Sequence, residues 1–114
     1  MDVGDAGPRV IGIDVGGTKI AGGVVDLGAG SVHERESMPT HAERGGTAVL
    51  DDVRALASRL VGGARHGGDP VRLGIAVCEL VEPSGAITSA QTLDWLDRDV
   101  VGAVADVASA TIAS

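Results

Sequence analysis

Apolar residues along the chain fall into two periods, and the change from one to the other marks out the elements. Val10, Ile11 and Ile13 form a short β-branched run, and Ile20, Val24 and Val25 begin a second. Runs of this kind read as strands. Gly16-Gly17 lies between them, a pair able to take positive φ and so reverse the chain. The second strand is expected over about 19–26. Gly28-Ala29-Gly30-Ser31 then turns into a third, from Val32 to Met38. His33, Glu34, Arg35 and Glu36 interrupt the third strand, as charges do on an edge that must not pair further. The period changes at Gly45-Gly46-Thr47, where Thr47 reads as a helix N-cap. Val49, Val53, Leu56, Ala57 and Leu60 recur at steps of three and four, one apolar stripe along a helix that Gly62-Gly63 closes. Asp51 and Asp52 lie near its positive end, and Arg54 and Arg59 read as part of a solvated face. A mobile loop is expected from Ala64 to Pro70, followed by a buried strand over Val71–Val77. A closing helix is expected last, N-capped by Asp97 and carrying Val100, Val101, Val104, Val107, Ala108 and Ile112.

Composition narrows the class. With 114 residues the chain is one domain, and residues 1–8 read as a disordered lead-in ending at Pro8. The net charge of -7 argues against a nucleic-acid backbone or an anionic membrane as partner. The start is acidic and glycine-rich, unlike a signal peptide, and no apolar run is long enough to span a bilayer. Cys78, the single cysteine, precludes an internal disulfide and fits a reducing, cytoplasmic setting. Trp95 is the only aromatic residue, so the core must come from Val, Ile, Leu and Ala, which suits an α/β sheet.

Candidate chemistry gathers at the first turn. Glycines at 16 and 17 let backbone amides approach an anion, and Thr18 and Lys19 add a hydroxyl and a positive charge. Asp14 ends the first strand, where a carboxylate can hold hydrated Mg²⁺ beside a phosphate. Lys19 follows the threonine instead of preceding it, so this is no Walker A loop, and no GxGxxG opens a helix. From these residues alone, a plain hairpin and a phosphate-binding turn both stand. Other groups carry less. His33 and His41 lack companions at ligand spacing, Asp94, Asp97 and Asp99 lack calcium-loop spacing, and Trp95 reads as packing.

The string Gly12-Ile13-Asp14-Val15-Gly16-Gly17-Thr18-Lys19 resembles the first phosphate motif of the ROK family of sugar kinases and related regulators, within the actin-like ATPase, ribonuclease H-like fold. A second string, Gly74-Ile75-Ala76-Val77 with Val81, Gly85 and Ile87, matches the same family further on, so the likeness covers about 9–110. The resemblance implies ATP and Mg²⁺ as cofactors. Asp14, Gly16, Gly17, Thr18 and Lys19 would sit on the nucleotide phosphates, with Asp14 reaching Mg²⁺ through water. It also puts the segment after the second string beside the sugar, which makes Glu79 and Leu80 candidate substrate contacts. Cys78-Glu79 replaces the family's glycine-containing pair there. A turn residue pointing to water is the alternative reading of Glu79.

Within the family pattern, the Asp that takes the sugar proton, the multi-cysteine zinc cluster and the second lobe all fall outside these residues. No catalytic residue and no zinc site is therefore expected here. The expected fold is an α/β half-domain, βββαβα, with a mixed sheet lacking its final parallel strand. Residues 9–114 are expected to form a truncated N-terminal phosphate-binding lobe. The open edge left on strand 71–77 would seek a missing C-terminal half or a second copy. Three functions follow: the ATP-binding lobe of a kinase for a hexose or amino sugar, inactive alone; a non-catalytic sugar-sensing or partner-dependent relative; or a decayed fragment.

Overall fold

The computed structural model describes residues 8–65 and 68–114. Most of the expected lead-in, and His66-Gly67 of the expected mobile loop, lie outside the described residues. Strands β1 (Arg9–Val15) and β2 (Lys19–Asp26) pair antiparallel, with Val15 opposite Ile20. β3 (Ser31–Pro39) extends the meander on the far side of β2. The turn between β2 and β3 is held by Asp26, whose buried carboxylate accepts the amides of Gly28 and Ala29 at 3.0 and 2.9 Å. β3 is the charged edge that its composition predicts. It is also bulged: the register slips between Gly22 and Val24, and Glu34 is left-handed at φ 52°. Such a bulge twists an edge away from new partners.

Helix α1 (Gly46–Ala64) crosses one face of the sheet. Its buried Val49, Val53, Leu56, Ala57 and Leu60 pack on Ile11, Ile13, Val15, Ile20 and Val24. The helix begins earlier than Thr47 predicts, with Gly45 at the cap position (φ 97°) and no side-chain cap. Tertiary packing sets this start. Trp95 is fully buried and donates its Nε1–H to the Gly46 carbonyl at 2.9 Å, and a Cβ on Gly46 would run into the Asp94 carbonyl. Gly62-Gly63 does not end the helix either, because it continues to the buried Ala64. Gly63 provides room for the Glu34 side chain of the bulge. Arg54 and Arg59 are not simply solvated. Arg54 makes a two-pronged contact to Asp106 (2.9 and 3.0 Å) and reaches the Ala103 carbonyl, and Arg59 pairs with Glu36 at 2.9 Å.

Strand β4 (Arg72–Val77) lies parallel to β1, the crossover being made by α1. The chain end differs from the expected long helix. Asp99, not Asp97, caps a short α2 (Val100–Ala103), accepting the Gly102 amide at 2.9 Å. Asp97 is left-handed at φ 58°, a residue of the preceding turn. After the turn comes β5 (Ser109–Ala113), parallel to β4 with Arg72 opposite Ser109. The parallel strand expected to be missing is thus present, and the sheet has five strands in the order β3-β2-β1-β4-β5. The edge of β4 is covered, and the outer edge passes to β5. Ala110 and Ile112 alternate inward while Ser109, Thr111 and Ala113 face outward, a period of two that is too short to stand out from sequence.

The two faces of the sheet differ. One buries its branched residues under α1. The other carries Gly12, Ala21, Gly23, Gly74, Ala76 and Ala113 along a concavity of about 730 Å³, with Asp14 and Lys19 at its end.

Candidate functional site: the loop at the carboxyl ends of the parallel strands

β1, β4 and β5 run parallel, and in open α/β sheets ligands bind beyond the carboxyl ends of such strands. Here those ends carry Asp14-Val15, Val77-Cys78 and Ala113-Ser114. Residues 16–18 form the connection from β1 to β2. The Gly16 amide donates to the Lys19 carbonyl at 2.9 Å, closing a tight turn. Neither glycine needs positive φ, contrary to the simplest reason for a Gly-Gly pair. Close approach explains them instead. A Cβ on Gly16 would stand 3.1 Å from the Lys19 carbonyl, and one on Gly17 would stand 2.7 Å from Thr92 Cγ2.

The turn is braced from behind by a residue that gives no motif signal. Thr40, fully buried just after β3, donates its hydroxyl to the Gly16 carbonyl at 2.7 Å and its amide to the Thr18 carbonyl at 2.9 Å. Arg44 in turn holds the Thr40 carbonyl at 2.7 Å and pairs with Asp52 of α1 at 2.7 Å. The Gly16 and Thr18 carbonyls are therefore engaged by the fold. Its outward groups are not: among the described residues the amides of Gly17 and Thr18, the Thr18 hydroxyl, the Lys19 ammonium and the Asp14 carboxylate have no hydrogen-bond or ion-pair partner. All four of these residues are exposed.

On the other flank, Glu79 follows β4 and is 3% exposed, so it does not point to water. Its carboxylate accepts the Ser89 hydroxyl at 2.6 Å and the amides of Gln91, Thr92 and Leu93 at 2.9, 2.6 and 2.7 Å. Burial is the largest influence on this carboxyl and pushes it up, but the four hydrogen bonds together outweigh it and bring it down to about 2. Glu79 is accordingly a fixed anion that takes no proton near neutral pH. Leu80 is 66% exposed, with its amide on Ser89 Oγ at 2.9 Å and its carbonyl accepting the Thr88 amide at 2.9 Å. Cys78 is exposed beside these groups. Partial burial first, and the Glu79 charge second, push its thiol up, so it stays protonated and is a poor nucleophile.

Against known proteins, the model of the ROK family matches residues 10–113. The chain belongs to the ROK family. Similar solved structures bear out the fold expected of such a protein. An inorganic polyphosphate/ATP-glucomannokinase from Arthrobacter sp. strain KM is 28% identical with a TM-score of 0.74, the match covering 92% of this chain and 42% of that one. A ROK family glucokinase from Streptomyces griseus, solved with glucose and AMPPNP, is 28% identical with a TM-score of 0.70, covering 92% of this chain and 32% of its own. The ROK hexokinase from Thermus thermophilus shares the fold at 24% identity and a TM-score of 0.70. No curated protein matches the chain. This ROK chain therefore spans only 42% and 32% of the length of these first two kinases. Among its described residues no helix is long and apolar enough to cross a membrane.

Proposed function

We propose that these residues are the N-terminal, ATP-phosphate-binding lobe of a cytoplasmic ROK sugar kinase acting on a hexose or amino sugar. One observation carries the reading: a turn whose Gly16 and Thr18 carbonyls are tied down by Thr40 while its outward donors stay unspent. Free amides at Gly17 and Thr18 suit phosphate oxygens, the Thr18 hydroxyl adds a donor, and Lys19 adds charge at the same point. Asp14 is exposed and unpartnered, one carboxylate open to water, which fits a Mg²⁺ ion that keeps most of its hydration. When bound there, Mg²⁺ supplies neutralisation of phosphate charge. The S. griseus relative, solved with glucose and AMPPNP, supports nucleotide use.

Phosphoryl transfer needs donor and acceptor held together. This lobe presents groups for the donor's phosphates alone, so the 114 residues are expected to bind nucleotide without turning it over. The test is calorimetric titration of the chain with Mg²⁺-ATP and Mg²⁺-ADP, repeated on Asp14→Ala. Saturable binding is expected. The variant should weaken it about tenfold or more, the scale of one lost charge-assisted contact. Absence of binding in a chain shown folded by circular dichroism would overturn the reading.

A second reading, a non-catalytic ligand-sensing relative, is favoured by the use of Glu79 within its own loop where the family pattern has a glycine. Glucose binding that persists without nucleotide binding would select it.

A further inference from the structure

Glu79 performs a task that the phosphate turn does not itself reveal. Three successive amides, of Gln91, Thr92 and Leu93, converge on its carboxylate. Consecutive N–H groups aimed at one point form a nest for an anion. Here the chain fills that nest with its own buried side chain, and Ser89 completes the set of donors. The result is a strap over 89–93 anchored at the end of β4. Thr92, the middle one of the three amide donors, puts Cγ2 so close to Gly17 that even a methyl group on that glycine would not fit between them. Thr40 braces the phosphate turn on one side, and the strap stands on the other.

We propose that Glu79 is a positioning residue for the phosphate turn, acting through the strap 89–93 and the contact of Thr92 with Gly17. The proposal rests on the phosphate-binding reading for its consequence, though not for its geometry. With the nest emptied, three amides lose their acceptor and the strap loses its reason to hold its shape. Thr92 then no longer confines Gly17, and the amides of Gly17 and Thr18 lose the fixed orientation that a phosphate needs. An external anion small enough to enter the emptied nest should restore that orientation.

The experiment follows the backbone amides of the 114-residue chain by NMR in the wild type, Glu79→Gln and Glu79→Ala. Mg²⁺-ATP affinity is measured alongside. Resonances of 91–93 should move in both variants, and those of Gly17 and Thr18 should move with them, while the β1–β2 ladder stays put. Mg²⁺-ATP affinity should fall on the order of tenfold, as when an outer group that orients a ligand-binding group is lost. Formate added to Glu79→Ala should bring both sets of resonances back toward wild type, where chloride at equal ionic strength does not. Strap resonances that move while Gly17 and Thr18 stay fixed would overturn the proposal. If the Glu79 variants do not fold, Thr92→Ser keeps the amide and hydroxyl and removes only the methyl against Gly17. It must then shift the Gly17 and Thr18 amides, and unshifted amides would overturn the proposal equally. A wild type that binds no Mg²⁺-ATP defeats the phosphate reading alone, since the amide shifts still decide the coupling.

Discussion

At the scale of single residues, the site depends on two buried polar side chains, Glu79 and Thr40. Glu79 makes folding pH-dependent with a definite sign. Its carboxyl is near 4.5 when unfolded and about 2 when folded, so its contribution is fully present above 4.5 and is lost as pH falls toward 2. The fully buried Trp95, two residues beyond the strap, reports the loss by fluorescence. Stability of the wild type should fall steeply between those two values, and Glu79→Gln, already lacking the charge, should be flatter there. Equal slopes would mean that the strap does not depend on the carboxylate. For Thr40, replacement by valine keeps the volume but leaves the Gly16 carbonyl without its donor. The expected cost is about 1–3 kcal/mol in chemical denaturation. Mg²⁺-ATP binding should weaken as well, because the same bond fixes the turn.

At the scale of elements, legibility tracked how local the determining physics was. The β1–β2 hairpin and the α1 stripe are written in neighbouring residues, and both stand where their patterns put them. The closing segment was misread because Val104, Val107, Ala108 and Ile112 fit a helical stripe as well as a turn followed by a strand. Asp97 is the cap that the pattern predicts, but Asp99, two residues on, is the one that accepts a helix amide. Glu79 was hidden for a related reason. Its partners are main-chain amides of Gln91, Thr92 and Leu93, which leave no trace in side-chain spacing. Thr40 was missed because its acceptor lies 24 residues earlier in the chain. The assignment of β5 can be checked by amide exchange. The Ser109 amide donates to the Val71 carbonyl at 2.8 Å, so it and the other β4-facing amides of β5 should be protected. Protection following a helical pattern through 104–112 would restore the helix.

At the scale of the molecule, the two faces of the sheet present opposite situations. Gly22 and Gly74 make the difference measurable. On the α1 side, a Cβ at Gly22 meets Leu56 Cδ2 at 3.0 Å, with the Gly12 carbonyl and Ile13 both at 3.2 Å. Gly22→Ala should therefore be destabilising, on the scale of overpacking a filled core, about 1–3 kcal/mol. On the open side, a Cβ at Gly74 meets nothing within 4 Å. An interior strand glycine costs roughly 0.5–1 kcal/mol relative to alanine, so Gly74→Ala should stabilise these residues by about that much. Thermal unfolding followed through Trp95 reads both variants, and an increment of that size should raise the midpoint by a few degrees. The contrast also bears on what Gly74 is for. A small residue that nothing in the folded chain requires, set in a row with Gly12, Ala76 and Ala113, marks a surface on which another backbone can come close. If Gly74→Ala instead proves as harmful as Gly22→Ala, that face is already packed in solution, and the 114 residues associate through it. Sedimentation of the wild type across a concentration series would then show the dimer directly.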